Sequence, residues 1–196
     1  MRKIIFVLML VLSLPLVVSQ ASVTPGAAAV GSDSLSQASS STLNIIHIGD
    51  SHVAGSYGYG LHQLLLPVAA HRETYGCVGA SASWYTAEHS CNPSLGSRSS
   101  IDQKTSDLIS TINFPDYIKK NNFDVAIISL GTNFRSGDVV TGNERESVEK
   151  LLDAATLVEK CFWVGAPVTK DPNVNPNTIN TALKTLVENK GCKFID

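Results

Sequence analysis

No run of like charge longer than a pair occurs in this 196-residue chain, whose 15 lysines and arginines and 17 aspartates and glutamates are scattered to a formal net charge of −2. A groove that tracks nucleic-acid phosphates needs a basic stripe with interleaved aromatics, and none is present. Lys119-Lys120 reads instead as the solvated end of a helix. A second long apolar segment is missing as well. The first, Ile4 to Val18, follows Arg2-Lys3, precedes small residues at Ser19 and Ala21, and has the pattern of a secretory signal. It contains Pro15 and falls short of the roughly 20 residues that cross a bilayer. Residues 1–21 are therefore expected to direct export to the periplasm or the extracellular space, with no membrane contact once the signal is removed. No cysteine follows closely enough to suggest lipid attachment, and no internal repeat is visible.

Large apolar residues are almost absent between Ser22 and Thr42, where Ala, Ser, Gly and Thr dominate. Such a stretch cannot bury enough surface to offset its conformational entropy, so 22–42 is expected to be a flexible linker. The remainder, 43–196, suits one domain.

The paired C-x-x-C spacing of structural zinc sites is also lacking, and neither a metal nor another cofactor is expected. All four cysteines, Cys77, Cys91, Cys161 and Cys192, fall in the mature domain. An even count in an exported protein favours disulfides. Cys77 and Cys91 bracket one loop-rich stretch, whereas Cys161 and Cys192 each open a short apolar strand. If those strands are parallel neighbours, their first residues lie side by side, although the other pairings stay open on sequence grounds.

Apolar strands recur at Ile45 to Ile48, Val125 to Leu130, Phe162 to Val164 and Lys193 to Ile195, and a short one near Thr74 to Val78 could flank the first. Helical stripes separate them: Leu61, Leu64, Leu65 and Val68; then Val148, Leu151, Leu152, Ala155 and Val158; then Ile179, Leu183, Leu186 and Val187. Near-continuous apolar strands alternating with amphipathic helices predict an α/β fold with a central parallel sheet covered on both faces. Ligands bind such sheets beyond the carboxyl ends of the strands. Ser51, Gly79 and Gly131-Thr132-Asn133 fall at those ends.

A serine on the turn from strand to helix exposes its hydroxyl, and its own N–H faces the same space. Acyl transfer needs further donors aimed at the developing oxyanion, which a loop-glycine N–H and a side-chain amide could supply. Each residue also has a plainer role available: Ser51 as a helix N-cap, Asn133 as a turn residue, Gly79 as an ordinary loop glycine.

In combination, Gly49-Asp50-Ser51-His52, Gly79 within Tyr75-Gly76-Cys77-Val78-Gly79-Ala80-Ser81, and Leu130-Gly131-Thr132-Asn133 resemble the first three sequence blocks of the SGNH (GDSL-type) hydrolases. The resemblance covers essentially 43–196. It implies a flavodoxin-like three-layer α/β/α sandwich and ester hydrolysis with Ser51 as nucleophile. By the same likeness the N–H groups of Ser51 and Gly79 and the amide of Asn133 form the oxyanion hole, with Gly76 the alternative to Gly79.

The family's fourth block, an Asp-x-x-His after the last strand, has no counterpart up to Asp196, so the expectation is of weak or no turnover. His52 adjoins Ser51, but neighbouring side chains at a helix start project roughly 100° apart; His47, His62 and His71 read as surface or packing residues, and His89 is the remaining candidate for a substitute base. The Gly-Asp-Ser-His form looks closest to exported esterases of acetylated cell-wall or other carbohydrate. A small-molecule or carbohydrate ester is thus the expected partner; Trp84 and Tyr85 could stack on a sugar, although hydrophobic cover for the Cys77 to Cys91 loop is the more ordinary role for both. The contrasting expectation is a catalytically inactive carbohydrate-binding or interaction module.

Overall fold

The computed structural model describes residues 42–134, 142–167 and 176–196. The expected signal and nearly all of the expected linker lie outside them. The domain is α/β, built on a seven-stranded sheet. In chain order the strands are β1 (Leu43–Gly49), β2 (Ala69–Gly76), β3 (Arg98–Ile101), β4 (Lys104–Asp107), β5 (Val125–Ser129), β6 (Lys160–Val164) and β7 (Lys193–Ile195). The helices are α1 (Ser51–Ala54), α2 (Ser56–Leu64), α3 (Ala82–Tyr85), α4 (Phe114–Lys120), α5 (Asn143–Ala155) and α6 (Pro176–Asn189).

Across the sheet the order is β4-β3-β2-β1-β5-β6-β7. β2, β1, β5, β6 and β7 are mutually parallel. The hairpin β3–β4 adds an antiparallel edge beside β2. The parallel strands alone run second, first, third, fourth, fifth, so the winding reverses between β1 and β5, and a crevice opens there at the carboxyl edge.

Why β1 and β5 lie at the centre follows from their composition. Ile45, Ile46, Ile48 and every residue of β5 are buried. Side chains alternate between faces along a strand, so these runs feed two cores. Ile46, Ile48, Ala126 and Ile128 pack with α4, α5 and α6 through residues such as Phe114, Leu151 and Leu183. Ile45, Val125 and Ile127 pack with Leu61 and Leu65 on the opposite face. Helices thus cover both sides. Each fully buried aliphatic or aromatic side chain contributes roughly 1.5 to 3 kcal/mol. Trp163 joins the larger core, and its indole N–H donates to the Leu130 carbonyl at 2.9 Å, satisfying a polar group that burial would otherwise penalise.

The short flanking strand is longer than its apolar pattern suggests, beginning at Ala69 rather than near Thr74. His71 accordingly lies on a strand, not after the helix. The β3–β4 hairpin has no counterpart in the sequence-based expectation, because its strands are Ser, Thr and charged residues apart from Ile101.

Both expected disulfides are present: Cys77–Cys91 and Cys161–Cys192. Parallel pairing of β6 with β7 in the register Phe162↔Lys193 sets Cys161 beside Cys192, with Cα atoms 4.9 Å apart. Disulfides persist in oxidising compartments. Among the described residues no helix is long and apolar enough to cross a membrane.

Candidate functional site

Three neighbouring strands end level with one another. Gly49 is in register with Gly76 of β2 on one side and with Ser129 of β5 on the other. Strands lie about 4.8 Å apart, so the segments leaving them, which carry Ser51, Gly79 and Asn133, start from adjacent points on one edge.

The first segment is held by its neighbour rather than by its serine. Asp50 is the N-cap of α1, its carboxylate accepting the His52 N–H at 2.9 Å. The capping role available to Ser51 is therefore filled by another residue. Ser51 is the first helical residue, only partly buried, and its hydroxyl has no partner among the described residues. Asp50 itself is buried. Burial pushes its carboxyl above the ordinary value, while bonds from His52 and from the hydroxyl and N–H of Thr132 pull the other way. Thr132 precedes Asn133, so this carboxylate ties the serine turn to the segment after β5.

Glycines seat the same turn. A Cβ on Gly76 would lie 2.2 Å from the Ala54 nitrogen, and one on Gly49 would lie 2.2 Å from the Val53 side chain. A Cβ on Gly58 would meet the Val53 carbonyl oxygen at 1.9 Å. The turn rests directly on strand-end and helix backbone. Gly76 thus has a packing role, which separates it from Gly79.

Gly79 occupies a turn closed by the Ala80 N–H donating to the Cys77 carbonyl at 3.1 Å, and its φ of +86° is one that side-chain-bearing residues rarely adopt. Neither its N–H nor that of Ser51 has a partner among the turn and cap hydrogen bonds of the described residues. The loop is fixed at several points. The Cys77–Cys91 bridge anchors one end. The Val78 N–H donates to the Ser97 hydroxyl at 3.0 Å. The hydroxyls of Ser81 and Ser83 both donate to Glu144 of α5, at 2.7 and 2.8 Å. Beneath it, the fully buried Tyr85 hydroxyl sits 2.8 Å from the carbonyls of both Gly49 and Tyr75, clamping the ends of β1 and β2.

Asn133 closes the triangle. Its side-chain N–H donates to the Ala80 carbonyl at 2.9 Å, which joins the segment after β5 to the Gly79 loop. An amide nitrogen carries two hydrogens, so one stays available. Ser51, Gly79 and Asn133 are thus linked through their immediate neighbours, Asp50–Thr132 and Ala80.

No histidine among the described residues bonds to Ser51. His52 is exposed. His47 is fully buried, with Nε2 2.9 Å from the Ser129 hydroxyl. His62 and His71 bond to β2 and the β3–β4 turn. His89 stacks on Trp84 at 3.8 Å between ring centroids, its Nδ1 3.1 Å from the Ser90 carbonyl. Of the two aromatics that could meet a sugar, Tyr85 is fully buried and occupied as a clamp by its paired hydrogen bonds, in keeping with the cover role. Trp84 is partly exposed, with its ring edge 3.9 Å from where a Gly79 Cβ would stand.

The sequence motifs contain Asp50 and Thr132 and the sugar-stacking pair contains Tyr85, but the anchoring roles of all three emerge from the structure. Asp50 had a signal, an Asx residue two positions before a helical N–H; the other two take their roles only from tertiary placement.

Among known proteins, no family model matches the sequence, and no curated protein matches it. Among solved structures it is similar to a DUF4886 family protein from Bacteroides uniformis ATCC 8492, at 12% sequence identity and a TM-score of 0.47. That match covers 78% of this chain and 66% of the other, so the chain spans just under two thirds of that protein's length.

Proposed function

We propose that this is an exported ester hydrolase of the SGNH type, on a flavodoxin-like three-layer sandwich. The reading takes Ser51 as nucleophile and the N–H groups of Ser51 and Gly79 with the Asn133 amide as the oxyanion hole. The observation that carries it is the mutual anchoring of the three segments at one level of the sheet edge, through Asp50 with Thr132 and through Asn133 with Ala80. In the reaction the Ser51 oxygen gives up its proton and bonds to the ester carbonyl carbon while the carbonyl electron pair moves onto oxygen among the three donors; collapse expels the leaving oxygen, which takes up that proton as the alcohol, and water then cleaves the Ser51 ester to release the acid and restore the hydroxyl.

The proton on Ser51 needs an acceptor, and none of the described histidines meets it. The proposal therefore includes weak turnover by this polypeptide. Catalysis lacking the base falls about a million-fold, yet an oxyanion hole and binding retain roughly 1000-fold over water. That residue of activity depends on the donors and not on the nucleophile.

Purified protein assayed on 4-nitrophenyl acetate should show slow turnover above background, little changed by Ser51→Ala and reduced about 100-fold toward background by Asn133→Ala. Fast turnover abolished by Ser51→Ala would mean that a base is supplied. Background rates in both wild type and Asn133→Ala would remove the hydrolase reading.

The substrate proposed is an acylated carbohydrate. Its support is the Trp84–His89 stack beside the Gly79 loop, held by the Thr111 hydroxyl donating to the Trp84 carbonyl at 2.6 Å and accepting the His89 N–H at 2.9 Å. The same stack favours the second reading, a glycan-binding module without chemistry. Calorimetry separates the two, since that module keeps its saccharide affinity in Asn133→Ala and loses it in Trp84→Ala.

A further inference from the structure

Far along β2 from Ser51, a second polar cluster surrounds the two-residue turn of the β3–β4 hairpin. Asp102 in that turn has a φ of +52°, a left-handed conformation that aspartate tolerates better than most residues. Its polar groups are all engaged. The N–H donates to the Arg72 carbonyl at 2.8 Å, and the carboxylate accepts the Arg72 N–H at 3.0 Å. Its carbonyl accepts from Arg72 Nη2 at 2.7 Å and from His62 Nε2 at 2.6 Å.

His71 stands between this turn and a second carboxylate. Its Nδ1 is 3.1 Å from Asp102, and its Nε2 is 2.8 Å from Glu73 Oε1. Glu73 Oε2 is already filled by the hydroxyls of Tyr75, at 2.7 Å, and of Tyr117 on α4, at 2.8 Å. A neutral imidazole has one N–H and can serve one carboxylate; the other would face a ring lone pair. Only the imidazolium donates to both.

The hairpin also reaches the candidate site. Ser97, immediately before β3, is buried and accepts the Val78 N–H of the Gly79 loop, while its carbonyl accepts the Leu108 N–H just after β4 at 3.1 Å. Both ends of the hairpin therefore converge on the residue that holds the loop.

We propose that His71 is a pH-sensitive latch: as an imidazolium it pins the β3–β4 hairpin to β2, and on losing its proton it loosens the hairpin and, through Ser97, the loop presenting Gly79. The groups facing the ring are Glu73 from β2, Asp102 from the turn and Phe123, stacked at 6.4 Å. Arg72, the nearby cation, is directed at the Asp102 carbonyl. Burial pulls the His71 pKa down, but the bonds to Glu73 and Asp102 outweigh it and leave it above the ordinary 6.5. The latch is thus fully closed below that value and opens as pH rises through the raised one. Its effect on turnover rests on the esterase reading; its effect on structure does not.

Amide hydrogen exchange across the pH range, corrected for intrinsic rates, tests it without using turnover. The Asp102 and Val78 amides should lose protection together above the His71 titration, by roughly fivefold for a partly exposed ion pair of this kind. His71→Gln should abolish the step. Asp102→Asn, which keeps the turn conformation and the acceptor for Arg72, should shrink it and lower the imidazole titration read by NMR. Identical pH profiles in wild type and both variants, or a His71 ring titrating at or below 6.5, would refute the latch. Loss of protection at Asp102 with none at Val78 would refute its transmission to the loop.

Discussion

His47 sits on the central strand, four residues before Ser51, and is fully buried with Nδ1 unpartnered. Burial, reinforced by His62, lowers its pKa from 6.5 to about 3. The folded state therefore binds fewer protons than the unfolded chain between those values. This contribution to stability is complete above 6.5 and is lost as pH falls toward 3. Between about pH 7 and about pH 4.5 the loss from this one ring is about 2 to 3 kcal/mol, and over the whole window it approaches about 5 kcal/mol.

For a domain of this size that corresponds to roughly 5 to 10 °C of melting temperature at the milder acidity. Urea unfolding at several pH values, in wild type and in the neutral replacements His47→Leu and His47→Gln, isolates the term. Each variant costs stability at neutral pH by disturbing the contact with Ser129, yet its deficit should shrink by about 2 to 3 kcal/mol at about pH 4.5. Other titrating groups cancel in the difference. Deficits that stay constant with pH would refute the claim that this ring is held neutral by burial.

Two further outcomes bear on the scaffold. Gly76→Ala should destabilise by about 1 to 3 kcal/mol, since its Cβ would stand 2.2 Å from the Ala54 nitrogen; an unchanged urea midpoint would show that the serine turn is not seated on that strand end. Replacing Cys161 and Cys192 together by serine should cost roughly 3 to 4 kcal/mol on the chain-entropy account for a sequence separation of 31. A melting curve unaltered by that double replacement would contradict the bridge.

What the sequence disclosed and what it concealed divide along physical lines. Val125 to Ser129 and Ile45 to Ile48 are legible because a central parallel strand is apolar on both faces. The stripes in α5 and α6 are legible because each helix buries one side only. β2 and the hairpin were harder to see, since Arg72, Glu73 and Thr74 are buried polar residues whose partners lie far away in the chain. His71 illustrates the point: nothing local to it announces Asp102, 31 residues on. At the candidate site, Ser51, Gly79 and Asn133 could be picked out as turn residues after strands. The Asp50–Thr132 contact could not, because it depends on β1 and β5 being neighbours.

The bridge between β6 and β7 alters how the domain would respond to force. Tension applied at Asp196 meets a covalent stop four positions inward, at Cys192, and passes across to Cys161 without entering α6. The intervening loop, about 110 Å of contour at roughly 3.6 Å per residue, would appear in a stretching trace only after a reductant had cut the bond.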